Sequence, residues 1–193
     1  MKRMADIQTQ KLLYHITSIN NLAGILDTGL MPRAQLDNFR DVADHEILRG
    51  RAVHGLERYV PFHFFARNPF DGKVQQKNPL MDFVLISVRR DIASGNNWKI
   101  IPRHPLSNQQ PEILDYEVGF NSIDWDKMNR RDYGDDESKS ICMAECLSPQ
   151  TVTVDNFFKL YVSNDKVKQN VEMILRDHNV DIEVIVNRGM FIR

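Results

Sequence analysis

Six short apolar runs recur along the 193 residues, at 11–17, 59–65, 81–88, 140–149, 157–163 and 182–192. They alternate or run apolar in the manner of strands, and residues 98–102 add a shorter one. Only two segments carry a firm helical pattern. The first follows directly on the first strand: Ser18 stands as an N-cap, Ile19, Leu22, Ile25 and Leu26 recur at helical spacing, and Gly29 closes the turn. The second spans 164–179, with Val167, Val171, Ile174 and Leu175 on one stripe. Many strands with two firm helices predict a mixed α+β domain.

Residues 66–79 read as a loop through their Asn-Pro, Asp-Gly and Asn-Pro pairs, and 91–97 as a turn. The segment 31–58 has little regular pattern. Residues 103–138 are polar and Asp-rich, with Trp125 and Tyr133 as isolated anchors, and are expected to be a mobile or inserted region. No repeat or linker divides the chain, so a single domain over 1–193 is expected.

Composition sets limits on function. Hydrophobic residues make up 42% and charged residues 26%, as in ordinary globular domains. No apolar run has the length of a membrane span, and the N-terminus lacks an apolar leader, so a cytoplasmic protein is expected. Cys142 and Cys146 are the only cysteines, too few for a zinc quartet and poor material for a disulfide framework. A net charge of −1 argues against coating duplex DNA by bulk electrostatics. Arg33, Arg40, Arg49, Arg51, Arg58 and Arg67 still allow a local basic groove, or equally a solvated surface.

One acid stands out. In "ICMAECLS" strand alternation puts Glu145 on a face with Ile141, Met143 and Leu147. An unpaired buried carboxylate costs several kcal/mol, so Glu145 pairs with a cation, faces a cleft, or sits on a solvated edge strand. Arg49 and Arg51 are either solvated or the cation that Glu145 or a diphosphate requires. His15 and Thr17 end the first strand beside a helix N-terminus, where free amides favour an anion; a structural histidine is the simpler alternative. Phe62, His63 and Phe64 read as core and sheet-face residues. Walker, Rossmann, Ser-His-Asp and zinc-ligand patterns are absent.

Taken together, "LYHITSINNLAGILDTGLMPR", "ERYVPFHFFARNPF" and "SICMAECL" resemble, in order and spacing, the DarT toxins, which ADP-ribosylate bases in DNA. The resemblance covers roughly 11–150, with a weaker echo in the last helix and strand. It implies an ADP-ribosyltransferase-like split mixed sheet with long active-site loops, NAD as co-substrate and no metal. The implied partners are single-stranded DNA and a de-ADP-ribosylating antitoxin, with no membrane and a monomeric state. The resemblance makes Glu145 and Arg51 catalytic, with Arg49 the alternative to Arg51 and a cofactor contact. His15, Thr17 and Asn21 would hold NAD, and Phe62 and Phe64 would flank its nicotinamide. Arg67 and Asn68 would meet the DNA, 31–58 would cover NAD, and 103–138 would help form the DNA groove. His15 and Thr17 would line one concave pocket with Glu145. Where thymidine-modifying members continue "YVPFYF" into a "PRSPML" type of stretch, this chain reads "HFFARNPFDGKVQ". That departure favours guanine as the target. Transfer to protein or RNA, plain NAD hydrolysis, and a non-enzymatic nucleic-acid-binding module are the alternatives.

Overall fold

A computed structural model describes residues 6–36, 42, 45–106 and 110–192, with the side chains of 45–48 left aside. β1 (Leu12–Ser18) passes through a 3-10 turn into α1 (Leu22–Thr28), and α2 (His45–Val53) leads to β2 (Val60–His63). There follow α3 (Pro69–Lys77), β3 (Phe83–Arg89), α4 (Arg90–Gly95), β4 (Lys99–Ile101) and β5 (Leu114–Asp115). The helices α5 (Tyr116–Ser122), α6 (Trp125–Arg130) and α7 (Asp136–Ile141) precede β6 (Glu145–Ser148). The chain closes with β7 (Phe157–Val162), α8 (Asp165–Asp177) and β8 (Val184–Val186). The expected α+β class holds.

The eight strands form one mixed sheet in the order β5-β4-β6-β2-β1-β3-β7-β8, antiparallel except for β7 against β8. Its two halves join weakly. β1 pairs with β3 from Leu12↔Arg89 to Ser18↔Phe83, but with β2 only at Tyr14↔His63. Beyond that rung β1 and β2 diverge as a fork, so the split is a gap within one sheet. Arg90 ties the closed end. It donates to the carbonyls of Leu12 (3.1 Å), Gln8 (3.1 Å) and Phe64 (3.0 Å), and its guanidinium lies over the Phe64 ring. Burial lowers its pKa to about 10, which leaves it charged at neutral pH.

The larger core lies on the face carrying Leu13, Ile86, Phe62, Phe64 and Cys146, with Leu22 and Leu26 of α1 and Val167, Val171 and Leu175 of α8 packed in. The opposite face carries Ile16 and Leu85, covered by Val74 of α3 and by Phe191. None of the described helices is long and apolar enough to cross a membrane.

Five local expectations change. The strand expected over 182–192 is confined to Val184–Val186 and gives way to a 3-10 turn at Arg188–Met190. Residues 66–79 contain a helix, because Asn68 accepts a hydrogen bond from the Asp71 amide (2.9 Å) and Pro69 occupies the first helical position. The Asn-Pro pair is a helix start, not a loop. Residues 91–97 lie largely in α4. The 103–138 region is built into the domain through three short helices, with Trp125 buried against Phe64 and Phe120. The strand expected over 140–149 begins only at Glu145, since Ile141 ends α7.

Asp71 is 1% exposed, and its burial raises the carboxyl pKa to about 7. Between about pH 4 and 7 the folded protein keeps a proton that the unfolded chain has released. Stability therefore falls as pH rises through that window and levels off above it. Asp71→Asn should remove this fall, on the order of a few kcal/mol, and gain on the parent protein towards pH 8. Urea unfolding of both proteins at pH 5 and pH 8 measures it; identical pH slopes would contradict it.

Candidate active site

Glu145 opens β6, between β2 and β4, with His63 and Ile101 as its direct neighbours. It is 4% exposed, so its charge requires a buried partner. The last turn of α2 provides it: Arg51 Nη1 donates to both Glu145 oxygens at 2.8 Å. The edge-strand alternative therefore falls, and of the two arginines Arg51 is the one at the carboxylate while Arg49 is exposed. Arg51 Nη2 is also buried, with no hydrogen-bond partner among the described residues.

Two histidines face this charge pair. The His63 ring packs against Phe70 and donates from Nδ1 to the Ala144 carbonyl (3.2 Å). His104 is held by its amide on Ser140 (2.8 Å to the carbonyl), and its Nδ1 accepts from the Leu106 amide (3.2 Å), so its proton sits on Nε2. Burial lowers the pKa of both rings against the pull of Glu145, which keeps them neutral. His104 lines a hollow with Ile101, Arg103 and Glu112.

At the fork, His15 Nδ1 donates to the Pro61 carbonyl at 2.8 Å, and the ring tilts over Phe62. Burial lowers its pKa to about 4, so Nε2 is a bare acceptor at neutral pH. Thr17 is buried and accepts from Asn21 Nδ2 (3.2 Å). The register puts Tyr14, His63 and Glu145 on one sheet face and His15, Thr17 and Phe62 on the other. The pocket expected to hold His15, Thr17 and Glu145 together is thus not a single concave face. The two sets approach each other across the fork, where the charges of Arg51 and Glu145 act on His15.

The family model described as DarT, ssDNA thymidine ADP-ribosyltransferase, matches residues 14–192. This chain belongs to the DarT family. A curated DarT relative from Thermosipho africanus, a DNA ADP-ribosyl transferase–DNA ADP-ribosyl glycohydrolase fusion protein, is 26% identical over 187 residues. That alignment covers 88% of this chain but 47% of the fusion, so the chain spans about half of that relative. Thermus sp. 2.9 DarT in complex with ADP-ribosylated ssDNA has the same fold, with a TM-score of 0.80 at 19% identity over 94% of this chain and 96% of that one. Thermosipho africanus DarTG in complex with ADP-ribose superposes with a TM-score of 0.75 at 26% identity, over 94% of this chain and 51% of that one.

Several residues that the DarT resemblance singled out lie elsewhere than expected. Phe62 and Phe64 are fully buried, Phe62 stacked on Trp98 and Phe64 edge-on to Trp125. They pack the core and cannot flank a ligand without rearrangement; Pro61 and His63 occupy the face towards Glu145. Asn68 is 1% exposed and spends its amide on the Asp71 amide and the Phe65 carbonyl, which leaves it a helix cap and not a DNA contact. Arg67 is exposed beyond the end of β2, with its backbone at φ 58 and its amide on Asp71 (3.1 Å). Part of the 31–58 segment, 37–41 and 43–44, lies outside the described residues. Among those described, no group of three or more His, Cys, Asp or Glu could hold a metal ion. His63 reads from the sequence only as a core or sheet-face residue of an aromatic strand, and His104 lies in a polar stretch with no periodicity to mark it.

Proposed function

We propose that the protein transfers ADP-ribose from NAD to a base of single-stranded DNA and acts as a toxin. The observation that carries this is the buried Arg51–Glu145 pair beside a fork in the sheet, with Arg51 Nη2 unsatisfied among the described residues. A buried donor without a partner is costly unless a ligand meets it. The residues fit NAD: Arg51 Nη2 suits a phosphate or ribose oxygen, His15 Nε2 a ribose hydroxyl, and Thr17 with Asn21 the carboxamide end. The Thermus relative solved in complex with NAD+ and the one with ADP-ribosylated ssDNA support NAD and single-stranded DNA as the substrates.

In the reaction the bond between ribose and nicotinamide breaks, and the anomeric carbon bonds to a base nitrogen. Positive charge develops at that carbon, and the Glu145 carboxylate stabilises it in a site sheltered from water. The proton of the attacking nitrogen passes to Glu145 and then to solvent. Arg51 orients the carboxylate through Nη1 and neutralises phosphate charge through Nη2. Arg67 holds the strand. A base within a duplex cannot reach the site without being flipped out, at a cost of about a few kcal/mol. The departure of 63–75 from the thymidine-type run supports guanine over thymine as acceptor. The glycohydrolase half of the Thermosipho relative supports a de-ADP-ribosylating antitoxin as partner. The protein works as a monomer in the cytoplasm.

Mass spectrometry of oligonucleotides incubated with NAD tests this. One added ADP-ribose is expected on single-stranded DNA containing guanine, far less on the same sequence annealed, and a rate that falls gently with salt. Free ADP-ribose without an adduct would identify a hydrolase. Equal rates on strand and duplex would remove the extruded base from the reaction, and an adduct on thymine-only strands alone would reverse the base assignment.

A further inference from the structure

We infer that His63 is the positioning residue for Glu145, holding through Nδ1–H the carbonyl of the residue from which the Glu145 backbone springs. This rests on the role of Glu145 in the proposed transfer. β6 begins at Glu145, so Ala144 precedes the ladder and is fixed by other means. Its amide is held in the turn after α7, on the Ile141 carbonyl (3.0 Å), and its carbonyl is held by the His63 ring (3.2 Å). Ala144, the residue leading into the carboxylate, is thus held at both its amide and its carbonyl, and one of the two holds is a side chain.

His63 is itself locked. It is the last residue of β2, the single rung to β1 and the direct neighbour of Glu145. Its ring is 4% exposed and lies 5.3 Å from the Phe70 ring, tilted by 34°. A carbonyl only accepts, so the proton on Nδ1 is present whether the ring is neutral or charged. The tether therefore survives any pH at which the protein works. A ring that only filled space would not require this nitrogen at this place.

Three substitutions separate tether from packing. His63→Leu removes the donor. His63→Gln moves an amide N–H to the far side of the ring position, and His63→Asn returns one near Nδ1. Leu and Gln are expected to lower kcat by about tenfold or more, the scale of a misplaced catalytic group, with NAD affinity by calorimetry unchanged. Asn should recover most of the loss. The Glu145 amide NMR signal, which senses the hydrogen bond on the preceding carbonyl, should move in Leu and Gln and return in Asn. Unchanged kcat in Leu, or an Asn variant no better than Gln, would overturn the assignment; if Leu fails to fold, the Gln–Asn pair decides. Should the parent protein add no ADP-ribose to DNA, the proposed function fails, while the Glu145 amide signal still decides the tether.

Discussion

Glu145→Gln is expected to lower transfer by about 10²-fold or more while leaving NAD binding and the fold in place. Glutamine keeps the shape and an oxygen that accepts from Arg51 Nη1, so the contact seen at 2.8 Å retains a partner. What it loses is the negative charge, which balances Arg51 in the resting site and whose pull on the ribose grows as positive charge builds there. The loss should therefore fall on kcat and leave the NAD dissociation constant alone. Glu145→Ala is a harsher test, because it strands a buried guanidinium. Turnover of the Gln variant under saturating NAD and DNA is the measurement, and near-normal turnover would remove Glu145 from catalysis.

Arg51 should show two separable losses. Arg51→Ala leaves the Glu145 charge buried without its cation, a change that costs about 3–5 kcal/mol of stability and silences transfer as well. Arg51→Lys keeps a cation beside the carboxylate but supplies one nitrogen where the guanidinium has Nη1 on Glu145 and Nη2 free for the substrate. The Lys variant should recover much of the lost stability and little of the activity. Urea unfolding and single-turnover transfer on the same preparations give both numbers. A Lys variant with parental turnover would show that the second nitrogen has no substrate to meet.

How far the sequence could be read depended on whether a feature was local. The passage from β1 to α1 was legible because Ser18 caps the turn and Gly29 takes a φ of 84, where an added Cβ would lie 2.8 Å from the Val152 carbonyl oxygen. α8 was legible from its stripe. α3 was missed because Asn-Pro marks a turn and a helix start alike. The short helices α5 to α7 have too few turns to establish a period. The choice between Arg49 and Arg51 had no answer in the sequence: two residues apart on a helix, they point about 200° away from each other, and only the placement of α2 over β6 decides which meets Glu145. The face of β2 that looks towards Glu145 was equally hidden. Alternation shows that Phe62 and His63 part company, but register alone shows which one belongs to the site.

The fork also bears on where this sheet leaves its backbone unpaired. An unpaired strand edge invites another chain to add to the sheet, and natural sheets blunt their edges by keeping the outer strands short. Here the outermost strands have two residues, Leu114–Asp115, and three, Val184–Val186. The longer stretch of backbone without a ladder partner runs along β1 and β2 beyond Tyr14 and His63, in the middle of the sheet, with His15 and Pro61 bridging the gap. A foreign strand cannot lie down there without forcing the two halves apart. Among the described residues the sheet thus keeps its longer run of open backbone inside the fork and only short strands at its edges, which confines a hazard common to sheets with vacant edges to its interior.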